Sequence, residues 1–243
     1  ASMAVTNDVA LITFVPLALV TIRAAGMEDR LCAIATLMTI AANLGSMLLP
    51  IGNPQNLYLF TSSGMPFPDF IGLMAPYTAA SAALLAIAVF LLFPSAPCAG
   101  AQEAAGGPST WRGCPARLAA FSALFCLCVL AVAGVIDVRV ALAVVIAVVA
   151  LSDASLFKRV DYALLLTFIA LFVFVGNMAR VPAVHDAIAG LVARSALTAA
   201  VGASQVISNV PAAVLLSGFT DQWGALIVGT NLGGLGTLIA SMA

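Results

Sequence analysis

Runs of apolar residues, each closed by a short polar or Pro- and Gly-rich stretch, follow one another along most of the chain. Membrane helices need about 20 consecutive apolar residues, so the longer runs predict transmembrane helices. Residues 70–93 form the clearest full-length run, and further membrane segments are predicted over residues 116–136, 140–151 and 162–178. Residues 180–194 mix charged and apolar positions, which is typical of an amphipathic helix lying at a membrane interface.

Two of the apolar runs are interrupted by helix-breaking residues. The run over residues 31–49 is broken by a Pro- and Gly-rich stretch at 50–54, and it resumes at 55–60. The run that begins at Ala225 is broken by glycines at 233–236. Irregular backbone inside a membrane is tolerated only where protein or a water-filled cavity satisfies its polar groups. The breaks therefore predict positions that face the interior of the protein.

Short polar sequences lie inside or beside two other apolar stretches. Thr6-Asn7-Asp8 directly precedes the apolar residues 9–22, which are short for a full crossing. Ser208-Asn209-Val210-Pro211 lies in the middle of the stretch 195–218. We interpret 9–22 as the second arm of one re-entrant hairpin and 195–218 as a second complete hairpin. Each polar sequence would then form a hairpin tip.

The hairpin and the broken helix occur twice in the same order. The two copies align through three pairs of residues: Asn43 with Asn231, Gly45 with Gly233, and Ile51 with Ile239. Small-residue helix packing would explain the glycines, but it would not explain Pro50, Pro54 or the aligned asparagines. Duplicated broken helices are typical of secondary transporters built from inverted repeats. The predicted fold is an all-α polytopic membrane protein with inverted repeats, two re-entrant hairpins and broken transmembrane helices.

The linker between the two copies gives the predicted domain organisation. We assign residues 1–94 to the first repeat, 95–115 to a Pro-, Gly-, Ala- and Ser-rich cytoplasmic linker, and 116–243 to the second repeat. The chain starts inside an apolar stretch and stops inside the second broken helix, so we expect a fragment that lacks terminal helices.

Positive charges indicate an orientation in the membrane. With the turn at 24–30 in the cytoplasm, the cytoplasmic cations are Arg23, Arg30, Arg112, Arg117, Lys158 and Arg159. The cations on the opposite side are Arg139, Arg180 and Arg194. This excess supports the topology, and it makes the two hairpins enter from opposite faces, as an inverted repeat requires.

The composition excludes several classes of function. Of the 243 residues, 63% are hydrophobic and 8% are charged, with a mean hydropathy of +1.15. Soluble domains average about 25% charged residues, so the expected partner is a lipid bilayer. A net charge of −1 without a basic stripe argues against nucleic acid. The single histidine, His185, and the lack of a nucleophile–base pair or metal cluster argue against an enzyme, and no cofactor is expected.

The hairpin tips carry the candidate chemistry. Helix N-termini attract anions, whereas carbonyls freed at a break attract cations. The amides of Asn7 and Asn209 can both donate and accept hydrogen bonds. Asp8 is the only acid in either tip. It could bind Na⁺, take and release a proton, or cap the helix that begins at Val9, and the sequence leaves these roles open.

Four segments resemble one family of transporters. The segments TNDVALITFVPLAL, NLGSMLLPIGNPQNLYLF, SQVISNVPAAVLLSGF and NLGGLGTLIASMA are similar to those of the ion transporter superfamily. This superfamily includes arsenite/antimonite permeases, citrate transporter-like proteins and divalent anion:sodium symporters. The likeness is strongest to the YbiR-like bacterial inner-membrane permeases, and it extends over most of the chain.

The resemblance implies an elevator-type transport domain, a homodimer and a set of site residues. In the symporters, each tip carries Ser-Asn-Thr and helps to bind sodium and a carboxylate. Both tips depart from that pattern here, which argues against a dicarboxylate, and the Asn-Asp pair of the first tip resembles the arsenite permeases and suggests proton coupling. The candidate substrate- and ion-binding residues are Thr6, Asn7, Asp8, Gly45, Ser46, Gly52, Asn53, Ser208, Asn209, Gly233, Gly234 and Thr237. A Na⁺ site is expected near Asn7, Asp8, Gly52 and Asn209.

These patterns lead to one functional prediction with stated alternatives. The predicted function is a secondary active transporter of a small anion or oxyanion, coupled to H⁺ or Na⁺, in the bacterial inner membrane. Arsenite or antimonite efflux is the main alternative within the class. A passive anion channel and a membrane-embedded enzyme are the alternatives from other classes.

Overall fold

The computed structural model describes residues 7–24, 26–93, 115–160, 162–178 and 180–235, without the side chains of residues 8, 115–118 and 164. The described residues are helical and contain no strand, which confirms the all-α prediction. The helices are α1 Asn7–Ala24, α2 Leu31–Ser46, α3 Pro54–Ser63, α4 Phe67–Leu92, α5 Pro115–Val132, α6 Val138–Asp153, α7 Tyr162–Met178, α8 Pro182–Arg194, α9 Ala196–Ile207, α10 Asn209–Leu216 and α11 Trp223–Gly233.

The chain forms two compact units that do not coincide with the two sequence repeats. One unit comprises Ala1–Gly107 with Asn177–Ala243, and the other comprises Pro108–Gly176. The first unit therefore contains both breaks and the second hairpin. The repeat boundaries at 94 and 115 stay a prediction, and most of the linker lies outside the described residues.

The first unit contains the predicted first break and the second hairpin, and α11 ends at Gly233, where the second break is predicted. The first break runs from the end of α2 through a 3-10 turn at Pro50–Gly52 to α3, which starts with Pro54. Proline suits the first helical position because the N–H that it lacks would have no intrahelical partner there. The second hairpin consists of α9 and α10, joined at Ser208.

Close helix packing holds the broken helices against the second hairpin. A Cβ on Gly229 of α11 would lie 2.6 Å from the Cβ of Ala200 on α9, so only glycine allows this approach. Helix α3 contacts both α10 and α11, and α1 packs on α2. The core of this unit includes the fully buried Met47, Leu59 and Leu226.

The second unit consists of α5, α6 and nearly all of α7. Helices α5 and α6 pack together through a tight turn that contains Gly134, whose φ is +76°. Asp137 caps α6 by accepting a 2.7 Å hydrogen bond from the N–H of Arg139. This cap stabilises the predicted turn between the two membrane segments.

Many large apolar side chains are exposed, as expected for a protein surrounded by lipid. Leu151 is 88% exposed and Ile12 is 76% exposed. By length and apolar composition, the helices at Phe67–Leu92 and Val138–Arg159 suffice to cross a membrane. Leu165–Met178 and Pro182–Arg194, counted as one broken span, would make a third. The predicted full-length helix near residues 70–93 is thus confirmed as α4.

Candidate functional site

The first hairpin tip is joined to the first broken helix. Asn7 is buried at the start of α1, and its Nδ2 donates to Oδ1 of Asn43 on α2. The backbone of Asp8 lies in the first turn of α1, but its side chain and the whole of Thr6 lie outside the described residues. The amide of Asn7 therefore fixes where α1 begins relative to the end of α2.

The first break closes on itself through Ser46 and Asn53. The Ser46 hydroxyl lies 2.8 Å from the Asn43 carbonyl and 3.0 Å from Oδ1 of Asn53, both of which are acceptors. A Cβ on Gly52 would lie 1.9 Å from the carbonyl oxygen of Ser46, so the loop requires glycine there. Gly45 is half-buried in the last turn of α2.

The second hairpin tip combines backbone strain with unpartnered polar atoms. Ser208 has φ +74° and ψ 161°, a region that costs a non-glycine residue about 1–3 kcal/mol. The side-chain oxygens of Ser204, Ser208 and Asn209 are buried and have no hydrogen-bond partner within the described ranges. A buried polar atom without a partner costs about 1–3 kcal/mol, so the native fold maintains both features at a cost in stability.

The second break lies directly against this tip. A Cβ on Gly233 would lie 2.7 Å from the Cβ of Ser204 on α9. A Cβ on Gly234 would lie 2.5 Å from Nδ2 of Asn209. Gly233 is thus required for the end of α11 to approach the hairpin, whereas a side chain at Gly234 would displace the Asn209 amide. Thr237 lies outside the described residues.

The structure adds Gln205 and Asn56, which the sequence interpretation did not assign to the site. Nε2 of Gln205 donates to the carbonyls of Gly233 at 2.5 Å and Leu235 at 2.6 Å. Asn56 is fully buried, accepts from Asn231 through its Oδ1, and donates to the Met47 carbonyl at 3.4 Å. Gln205 is the one amide of the mostly apolar α9, and that signal could have identified it. Asn56 lies beside Gln55 in α3, which also carries several hydroxyl residues, so it does not stand out in the sequence.

A second contact joins α3 to the second hairpin. The hydroxyls of Tyr58 on α3 and Ser217, which directly follows α10, lie 2.8 Å apart. Together with the Asn56–Asn231 hydrogen bond, it attaches the helix after the first break to the second repeat. The two predicted half-sites therefore meet along α3.

The electrostatics of this polar cluster come from helix ends. The described side chains of the cluster are amides and hydroxyls, all neutral. Three helices begin within it: α1 at Asn7, α3 at Pro54 and α10 at Asn209. Helix N-termini carry partial positive charge and favour anions, whereas the ends of α2 and α11 present carbonyls that favour cations. A separate cavity of about 240 Å³ between α1 and α2 is lined by apolar side chains such as Phe14 and Met38.

Interrupted helices that pack against a helical hairpin around buried polar side chains are the arrangement of a membrane transporter. A family comparison agrees, because the citrate transporter family matches residues 1–223. The chain belongs to this family. No significant match exists among solved structures.

Three relatives resemble the chain. The inner membrane protein YbiR of Escherichia coli is 34% identical over 247 residues, which cover 98% of this chain and 63% of YbiR. An uncharacterised transporter of Methanocaldococcus jannaschii is 34% identical over 245 residues, covering 100% of this chain and 65% of the relative. A protein named arsB in Dictyostelium discoideum is 37% identical over 71 residues, or 28% of this chain and 12% of the relative. The chain thus spans less than two thirds of the two longer matches.

Proposed function

We propose that the protein is a secondary active transporter of a small anion or oxyanion, coupled to H⁺ or Na⁺, and that it works as a homodimer in a bacterial inner membrane. The observation that carries the proposal is the set of buried oxygens at the second tip. In the described part of the chain, the Ser204 and Ser208 hydroxyls and Oδ1 of Asn209 have no partner. These atoms are available to a transported ligand.

The chemistry of these oxygens fits an anion that brings a positive charge with it. The hydroxyls of Ser204 and Ser208 can donate to anionic oxygens, and the N-terminus of α10 attracts negative charge. Oδ1 of Asn209 can only accept, so it requires a cation or a protonated oxygen on the substrate. The tip therefore supports binding of an oxyanion together with Na⁺ or a proton.

Coupling is proposed to involve the first tip. Asp8 is adjacent in sequence to Asn7, which belongs to the polar cluster at the start of α1. An ionisable residue placed inside a membrane segment is costly, which makes it a functional candidate. The proposed cation-binding residues are Asn7, Asp8, Gly52 and Asn209.

Arsenite or antimonite efflux is the second candidate. The neutral hydroxyl and amide groups of the described cluster would suit an uncharged metalloid hydroxide, which both donates and accepts hydrogen bonds. The Asn-Asp pair of the first tip, which resembles the arsenite permeases, also favours it. Such a substrate would need no cation to neutralise it during transport.

Counterflow in proteoliposomes tests the proposal. Vesicles loaded with unlabelled citrate, phosphate, sulfate or arsenite should accumulate the matching labelled compound against its gradient if the protein is a carrier. A thermal-shift screen with and without Na⁺, at two pH values, selects the compounds first. Ser208→Ala should lose the exchange, whereas Ser62→Ala, the same change at an exposed position of α3, should retain it.

Each outcome has a defined meaning. Exchange of an anion that depends on Na⁺ or pH supports the leading proposal. Exchange of arsenite without any anion supports the second candidate. Dissipation of a gradient without counterflow would identify a channel and reject both.

A further inference from the structure

One side-chain nitrogen donates hydrogen bonds to two backbone carbonyls at the end of α11. Gln205 lies on α9, and its Nε2 lies 2.5 Å from the carbonyl oxygen of Gly233 and 2.6 Å from that of Leu235. Both carbonyls belong to the stretch where α11 stops, since the helix ends at Gly233. Among the described residues, the amide of the hairpin arm donates to both of them.

The orientation of this amide follows from its surroundings. The nitrogen and oxygen of a glutamine amide are distinguished by the hydrogen bonds that they make. Two carbonyl oxygens are acceptors, and an NH₂ group has two hydrogens, one for each of them. The reverse orientation would place Oε1 of Gln205 against two other oxygens. The NH₂ group must therefore face the break.

Two carbonyls that converge at the C-terminal end of a broken helix also form the type of site that holds a coupling cation in secondary transporters. We propose that the Gln205 amide occupies this cation position in the second repeat. The carbonyls of Gly233 and Leu235 then bind no ion, and the coupling cation is left to the residues proposed above, Asn7, Asp8, Gly52 and Asn209. This inference adds to the proposed function. Only its consequence, that the coupling cation binds elsewhere, depends on that proposed function.

The aligned residues of the first repeat differ from those of the second, and the difference supports the proposal. When Asn7 is aligned with Asn209, the position of Gln205 falls on Met3, whose thioether has no hydrogen to donate. The carbonyl of Met47, which aligns with Leu235, accepts from Asn56 at 3.4 Å. This is longer than the usual range of about 2.7–3.2 Å, so the carbonyl is held weakly and can turn to a cation.

Gln205→Glu tests the proposal directly. The carboxylate would face the two carbonyls, and all of these oxygens are acceptors. Such a group of acceptors requires a cation or a proton between them. In ²²Na⁺ equilibrium binding to the purified chain at alkaline pH, the variant should bind about one more Na⁺ per chain than the wild type. Gln222→Glu adds the same charge at an exposed position just before α11 and should leave the number unchanged.

An unchanged Na⁺ number in a Gln205→Glu variant that elutes like the wild type would overturn the proposal. A measurement on the wild type covers the case in which the variant does not fold. With ¹⁵N-labelled glutamine, the Gln205 side-chain resonance should stay unchanged when choline is replaced by Na⁺. A Na⁺-dependent shift of that resonance would show that the ion displaces the amide and would likewise overturn the proposal.

Neither experiment uses a transported substrate, so the two proposals can fail separately. If counterflow is absent but Gln205→Glu binds an additional Na⁺, the proposed function is rejected, and the proposal that the Gln205 amide occupies a cation position is supported. If counterflow is present but Gln205→Glu binds no additional Na⁺, the proposed function is supported and the proposal for Gln205 is rejected.

Discussion

Asn231 and Asn56 form a buried side-chain hydrogen bond across 175 residues of sequence, with Nδ2 of Asn231 donating to Oδ1 of Asn56. Asn43, which aligns with Asn231, instead accepts from Asn7 inside its own repeat. The two aligned asparagines therefore have different structural roles. One fixes a hairpin tip within a repeat, and the other joins the two repeats.

Asn56→Ala should weaken the link between the repeats. The change removes one of the two acceptors of the buried Asn231 Nδ2, which keeps only the Ile227 carbonyl at 2.7 Å, and the lost hydrogen bond costs about 1 kcal/mol. We expect a lower melting temperature and reduced transport. A double-mutant cycle with Asn231→Ala measures the coupling, which should be clearly larger than zero. Additive effects would show that the contact contributes nothing to stability.

Much of this architecture could be predicted from the sequence because it depends on local rules. Pro54 and Gly52 mark the first break, and the polar residues around Ser208 mark the second tip, since helix breakers act on their own segment. The partners of Asn56 and Gln205 could not be predicted. Their contacts join segments far apart in the chain, and an amide in a helix sequence does not show which distant group it will contact.

Asp8→Asn tests the coupling role that the sequence predicts for this residue. The structure starts α1 at Asn7, so Asp8 lies in the first turn and is not the cap of a helix beginning at Val9. The substitution keeps the shape of the side chain but removes its charge. We expect a folded protein that has lost proton-driven uptake and retains counterflow, which needs no driving ion gradient. Proton-driven uptake at the wild-type rate would leave Asp8 only an electrostatic role at the N-terminus of α1.

Gly234→Ala should damage the second tip. The new Cβ would lie 2.5 Å from Nδ2 of Asn209, so the amide must move away. We expect transport to fall at least about tenfold because the binding amide is displaced. The loss of stability should be small, because this amide is the flexible end of its side chain. Gly202→Ala on α9 is the matched control, because its Cβ would meet nothing within 4 Å. Equal transport by the two variants would contradict the proposed site.

Replacements of Ser208 separate its backbone role from its hydroxyl. Ser208→Gly and Ser208→Ala both remove the hydroxyl, but only glycine adopts a φ of +74° without strain. Both variants should lose transport. The glycine variant should be more stable than the alanine variant by about 1 kcal/mol or more, as measured by thermal unfolding in detergent. Equal stability would mean that the backbone of the tip relaxes easily.

Asn7→Ala and Asn209→Ala should both abolish transport, but only Asn7→Ala should lower stability. Asn7 donates to Asn43, so its loss should lower stability by about 1 kcal/mol. Oδ1 of Asn209 is buried without a partner in the region that the structure covers, so its removal should leave stability unchanged or raised. Such a residue lowers the stability of the unliganded protein and contributes to binding. A substrate-induced rise in melting temperature should therefore disappear in Asn209→Ala even though the unliganded variant is intact, and a retained rise would remove Asn209 from the site.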